Sequence, residues 1–349
     1  MALPVGGRLV AVRAFAVAED VAVAFGGAGG VCFHGVPGIA RLDKVNPETR
    51  AKVEAAAERL HFSFSKTAFS LASGKSMRVA VLMPNEISSW FNAHTFEGIY
   101  EVLSREGYDV VPYVMWGDAD LERFFHTLPG TQNIDAVFIV SFVLDVAKQR
   151  VLSSLTVPVV GINTPSTDGF DASVRIDDIA AMRGVVRLLR SFGHESVAYV
   201  EQPMQPSPFV CSDSVRMEGF LRAVDDQRYD DGHVLVIPSA EQATMGNEAA
   251  AVSDIAAQLI GSDTQPTGIC VENDRCAVLL LKELRRLGWR IPEEVSLVGF
   301  DGEPLSDVAD LTTVRQDPLS GGRLAANKAM ALMRGETLDE LIRLCLLRC

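Results

Sequence analysis

No apolar run in this chain of 349 residues approaches the roughly 20 residues that a helix needs to cross a bilayer, which argues against a helical membrane span. Cysteine is sparse and unpatterned. Cys32, Cys211, Cys270, Cys276, Cys345 and Cys349 form no C-x-x-C pair and no zinc spacing, so they read as buried or incidental thiols in a reducing compartment. The six histidines are scattered and offer no ligand pair, so neither a metal nor a cofactor is expected. Also missing are G-x-x-x-x-G-K-S/T, which cradles phosphates, and G-x-S-x-G, which presents a nucleophilic serine. With no catalytic constellation in view, the chain is not expected to be an enzyme. The start, Met1 to Ala18, lacks the uninterrupted apolar core of a secretory signal, because Arg8 and Arg13 break it. A cytoplasmic protein is the expectation.

The composition is that of a globular protein, with 48% apolar and 22% charged residues, and the length suffices for two or three domains with real cores. The net charge of −13 is unevenly spread. Residues 1–75 carry nine Lys/Arg against six Asp/Glu, and the remainder carries 23 against 39. A mildly basic head on an acidic body fits a nucleic-acid module joined to something else, although so small an excess also arises by chance.

From Met77 onward short β-branched runs alternate with segments of helical period. The spacing predicts strands at Met77–Met83, Val110–Val114, Ala136–Val140, Val157–Ile162, Val197–Val200, Val234–Ile237, Ile269–Val271 and Val295–Phe300. It predicts helices at Phe91–Arg105, Asp145–Leu155, Ile179–Phe192, Ser214–Val224, Ala249–Ile260, Arg275–Leu287 and Ser320–Met333. Such alternation gives βαβ units and parallel sheets, and eight or more strands exceed one ordinary open sheet. An α/β protein of two lobes with a cleft between them is therefore expected. Two strands place a polar tip at the C-terminal end, where parallel sheets build ligand sites. One is Val295-Ser-Leu-Val-Gly-Phe-Asp-Gly302, and the other is Gly268-Ile-Cys-Val-Glu-Asn-Asp274.

The head has a different texture. Asn46-Pro47-Glu48-Thr49 is a helix start, with Asn as cap, Pro at the first helical position and an acid in the first turn. Val53, Ala56, Ala57 and Leu60 then share one apolar face. Ser65–Ser73 is a short helical candidate stopped by Gly74. Gly26-Gly-Ala-Gly-Gly30 cannot be a good helix interior, and without a following Lys-Ser/Thr it makes a poor phosphate loop.

In this order the motifs resemble the lactose-repressor/galactose-repressor (LacI/GalR) family of bacterial transcription regulators, over roughly residues 43–344. Lys44 to Leu60 is similar to the third helix of that family's DNA-binding head, and Ser70-Leu71-Ala-Ser-Gly-Lys75 to its hinge helix. Met77–Pro84, Asn273-Asp274, Val295–Gly302 and Leu311-Thr-Thr-Val-Arg-Gln316 are similar to signatures of its sensor domain. The resemblance implies a helix-turn-helix head over 1–63, a hinge helix and linker over 64–76, and an effector-binding domain over 77–349. Its first lobe would take about 77–163 plus 318–343, and its second about 164–317. The implied partners are operator DNA, a second copy of the chain and a small effector, in the family usually a sugar or nucleoside-like metabolite and here expected to be a sugar, with no membrane. Leu71 would wedge into the minor groove beside Ser70 and Lys66. Arg216, Asn273 and Asp301 would hold the effector, with Asn163 beside them and Trp90 or Phe91 offering a ring a stacking face. Plainer roles stand beside these: a surface salt bridge for Arg216, a helix cap for Asn273 and a turn carboxylate for Asp301.

The sequence also departs from the family. Asp20-Val-Ala22 matches the family's opening, but Val31-Cys-Phe-His-Gly-Val-Pro-Gly-Ile-Ala40 makes no groove-reading helix, since Pro37 and the glycines would break it. Codons that encode Val31–Arg41 can, one base out of frame, encode Ser-Val-Ser-Thr-Val-Ser-Arg-Val-Leu-Arg-Gly, which resembles the family's recognition helix. The tail Leu344–Cys349 can likewise encode Val-Pro-Ser-Ser-Leu, resembling the family's closing strand. Frameshifts near both ends are therefore expected, with loss of base-specific binding and of a final strand, which would expose an edge. A sugar-binding protein of the periplasmic type is the alternative, and Lys44–Lys75 discriminates, since a transport protein has no use for a head helix and hinge.

Overall fold

The computed structural model describes residues 75–131, 134–154, 157–203, 209–238 and 248–345. The head helix, the hinge and the residues Lys66, Ser70 and Leu71 lie outside the described residues. From Arg78 onward the chain forms one compact unit.

Its eleven described strands make two sheets, and every pairing is parallel. The first sheet has the order β11-β5-β4-β3-β1-β2. It is built from β1 (Arg78–Pro84), β2 (Asp109–Met115), β3 (Ala136–Val140), β4 (Val159–Ile162), β5 (Ala172–Ile176) and β11 (Ile342–Cys345). The second has the order β10-β9-β8-β6-β7. It contains β6 (Val197–Val200), β7 (Val234–Ile237), β8 (Gly268–Val271), β9 (Ser296–Asp301) and β10 (Thr312–Arg315). Central strands of a parallel sheet are covered on both faces, so they read as unbroken apolar runs. Val79–Met83 and Ala136–Val140 accordingly have no exposed side chain.

Helices cover the faces. Those of the first lobe are α1 (Trp90–Arg105), α2 (Asp118–Thr131) and α3 (Val146–Ser154), and the second lobe has α4 (Asp178–Ser191), α5 (Ser212–Asp226), α6 (Glu248–Gly261) and α7 (Asp274–Arg286). The short α8 (Pro304–Val308) follows β9, and α9 (Pro318–Met333) follows β10. Helix starts carry their own caps: Asp177, Asn273 and Asp317 accept from the amides of Ala180, Cys276 and Ser320. Helix α9 buries a face of small residues, Gly321, Gly322, Ala325, Ala326 and Ala329. That lets it lie so close to α1 that a Cβ on Gly322 would sit 2.2 Å from the carbonyl oxygen of Thr95.

Three expectations are corrected. The first lobe runs to Ile176 and not to 163, because β5 pairs with β4 and β11 in the first sheet. The chain crosses to the second lobe at Asp177 and returns before Pro318, where α9 packs against α1, β4 and β5. Helix α2 and strands β5 and β10 were not anticipated. Finally, Ile342–Cys345 does form a strand, at the sheet edge beside β5. Residues 346–349 lie outside the described residues.

Candidate functional site

A cavity of about 290 Å³ opens between the C-terminal ends of the two sheets. This is where parallel strands deliver loops and where helix N-termini converge. From the first lobe its wall includes the turn after β1 (Asn85, Glu86), the start of α1 (Trp90, Phe91, Asn92), Trp116 after β2, Ser141 after β3 and Asn163 after β4. The second lobe contributes Gln202 after β6, Ser212, Asp213 and Arg216 of α5, Glu248 of α6, Asn273 and Arg275 at the start of α7, and Asp301 and Glu303 around the end of β9. The lobes also touch beside the cavity. Phe209 packs on Phe142 with ring centroids 5.0 Å apart, and Ser212 donates its amide to the Ser141 carbonyl at 2.9 Å.

Four strand ends reach the cavity in the left-handed region that side chains rarely adopt. Asn85, Ser141, Asn163 and Asp301 have φ of 59°, 64°, 48° and 122°. Held there by the sheets behind them, these residues carry backbone strain of the kind that gathers at ligand sites.

Arg216 organises the floor. It is 7% exposed, donates Nε to Asp178 Oδ1 at 2.9 Å and Nη1 to the Glu272 carbonyl at 2.8 Å, and lies 3.6 Å from Asp301 Oδ1. Its guanidinium stacks 3.9 Å from the centre of the Phe300 ring. Burial alone would discourage its charge, but Asp178 and Asp301 outweigh that and hold its pKa above the usual value. Burial pushes Asp178 upward, while the Arg216 guanidinium beside it opposes the shift. Asp301, 8% exposed, is pushed up to about 7 by burial, with Arg216 pulling the other way. Gln316 donates Nε2 to Asp301 at 2.5 Å. Glu272, just behind, is pushed up to about 8 by burial and by nearby Asp213, against the Gln202 amide and Arg216.

Asn273 fills its plainer role and a second one. Its Oδ1 caps α7 by accepting from the Cys276 amide at 2.8 Å, and its Nδ2 donates to Gln202. Asp274, fully buried, accepts from the amides of Gly302 and Glu303 at 2.8 Å and from Thr313 Oγ1 at 2.6 Å, which ties the turn after β9 to β10. Asn163 is 3% exposed. Its Oδ1 accepts from the Ile176 amide at 3.3 Å, while its Nδ2 has no hydrogen-bond partner among the described residues.

Trp90, Phe91, Asn163, Arg216, Asn273 and Asp301 thus all border one cavity. The surface role for Arg216 is excluded by its burial. Trp116, Glu86, Asp213, Gln202, Glu303 and the Arg275–Glu248 pair were not foreseen. Trp116 carried the one available signal, an aromatic following an apolar strand, as Trp90 follows β1. Among the described residues no group of three His, Cys, Asp or Glu is arranged to hold a metal ion, and no helix is long and apolar enough to cross a membrane.

Two parallel α/β lobes closing on a polar cavity at their strand ends define a periplasmic-binding-like sensor domain. Residues 186–344 match the family model of the periplasmic binding protein-like domain. The chain is 26% identical over 302 residues to catabolite control protein A of Priestia megaterium, covering 85% of this chain and 87% of that protein. It is 27% identical over 300 residues to the HTH-type transcriptional regulator GntR of Pseudomonas aeruginosa, covering 84% and 82%. Among solved structures, a complex of the transcriptional regulator CelR with cellobiose superimposes with a TM-score of 0.65 at 22% identity, covering 88% of this chain and 91% of that one. Over most of its length the chain is therefore similar to transcription regulators of the LacI/GalR type.

Proposed function

We propose that the chain is an effector-controlled, DNA-binding transcription regulator, a repressor acting in the cytoplasm as a homodimer, whose small hydroxylated effector binds between the lobes. The observation that carries this is the interlobe cavity, floored by the buried Arg216–Asp178–Asp301 cluster and offering a donor, Asn163 Nδ2, that has no partner among the described residues. A guanidinium, two amides and carboxylates suit hydroxyl groups, which both donate and accept, and the aromatic edge of Trp90 and Phe91 suits a sugar ring. CelR, of similar fold, is described in complex with cellobiose. Effector and DNA affinities are coupled when the effector favours one angle between the lobes and that angle favours one arrangement of the head. The names of the relatives favour this over a transport protein. Two proposals rest on residues outside the described ones: the Leu71 wedge with Ser70 and Lys66, and the loss of base-specific contacts.

Melting of the full chain tests the cavity. A panel of sugars, sugar acids, amino sugars and nucleosides should contain compounds that raise the melting temperature, since a ligand that binds only the folded state stabilises it. Asp301→Ala should abolish the rise. If no compound moves the melting temperature, the sensor reading fails.

A further inference from the structure

The cavity wall is acidic to a degree that a neutral sugar does not require. Five carboxylates face it, Glu86, Asp213, Glu248, Asp301 and Glu303, against two guanidinium groups, Arg216 and Arg275. Both cations are already committed. Arg275 makes a two-pronged pair with Glu248, at 2.6 and 3.2 Å, and Arg216 serves Asp178, Asp301 and the Glu272 carbonyl. Glu86, Asp213 and Glu303 have no ion-pair partner among the described residues. A carboxylated or phosphorylated ligand entering here would meet occupied guanidinium groups and three carboxylates that have no close ion pair among the described residues.

Two further observations point to a ligand. Asn163 Nδ2 is buried at the cavity wall with no acceptor among the described residues, so a hydroxyl there would satisfy it. Trp116, 54% exposed, borders the cavity together with Trp90, and an indole face attracts a cation as well as a sugar ring. We propose that the cavity selects an ammonium group on a hydroxylated skeleton, in the simplest case an amino sugar, and rejects sugar acids and sugar phosphates. This rests on the sensor reading above and deepens it. Glu86 belongs to the first lobe, Asp213 and Glu303 to the second. Like charges on opposing walls resist closure, and a cation seated between them removes that resistance. The ammonium is thereby the part of the ligand that closes the lobes, while Asn163 takes a hydroxyl.

Calorimetric titration of the full-length protein tests this with three matched pairs: glucosamine and galactosamine, glucose and galactose, glucuronate and glucose 6-phosphate. The amino sugars should bind roughly tenfold or more tightly than their parents, and the anions should give no heat. The advantage should shrink between about 50 mM and about 300 mM salt as screening shortens. Asp213→Asn and Glu303→Gln alter half-buried side chains, so the variants should fold with an unchanged melting temperature. Each should lower amino-sugar affinity toward that of the parent sugar. A parent or anionic sugar that binds as tightly as the amino sugar overturns the selection and leaves the sensor reading standing. Silence of all six sugars overturns it too, and the wider melting panel then decides separately whether the sensor reading survives.

Discussion

Arg216 is the residue on which the site turns. Replacing it with Met leaves Asp178 and Asp301 buried without a counter-charge, a change that costs about 3–5 kcal/mol in comparable cases. Urea unfolding of Arg216→Met should show a loss of that order, and a loss below ~1 kcal/mol would contradict the buried pairing. Asp301 predicts a pH dependence of the opposite sense to an ordinary paired carboxylate. Its folded pKa is about 7, against about 4 for the unfolded group. Between those values the folded chain holds a proton that the unfolded chain has released, so stability falls as pH rises through the window and levels above it. Melting measured from pH ~4 to ~8 should show this decline, and Asp301→Asn should make it shallower, with Glu272, pushed up to about 8, contributing in the same sense. The sequence showed Asn273 and Asp301 as polar groups at the ends of apolar runs, and Arg216 through the family resemblance alone. It did not show Asp178 as their partner, because that pairing joins residues 38 positions apart through the packing of α4 on α5.

At the scale of elements, the close approach of α1 and α9 depends on Gly98 and Gly322. A methyl group on Gly98 would fall 2.2 Å from the Leu319 carbonyl oxygen, with backbone on the other helix unable to yield. Gly98→Ala or Gly322→Ala should therefore cost about 1–3 kcal/mol, read by denaturant unfolding. Because α1 carries Trp90 and Phe91 into the cavity, the same variants should weaken effector binding more than a surface Ala substitution does. The long elements were legible because their periods are long: α7, with Cys276, Ala277, Leu280, Leu281 and Leu284 buried, announces itself. Helix α2 was hidden by Pro129 and Gly130 near its end. In β5, Ser173 and Arg175 interrupt the apolar run, since an element near a sheet edge needs less continuous cover than a central strand.

For the whole molecule, ligand binding should act as a clamp. At an effector concentration 100 times its dissociation constant the folded state gains about 2.7 kcal/mol, and small-angle scattering should report a smaller radius of gyration if the lobes close. A dimer should appear in sedimentation at micromolar concentrations, and a monomer there would remove the two-headed mode of DNA binding. The coding DNA bears on the head directly: codons over Val31–Arg41 that cannot encode the family's recognition helix in another frame would dispose of the frameshift explanation.

The sequence by itself determined the alternation of strands and helices, the parallel sheets, the two-lobe count and the polar tips of β8 and β9. All of these follow from periods of two to four residues, which a linear string displays. Only the tertiary structure decided that β5 belongs to the first lobe and that Trp116 and Asp213 join Asp301 around one cavity. It alone also decided that Asp301 and Glu272 hold their protons toward neutrality and that four strand ends are held at positive φ. Burial, Coulombic neighbours and backbone strain depend on residues brought together across tens or hundreds of positions, and no local pattern encodes them.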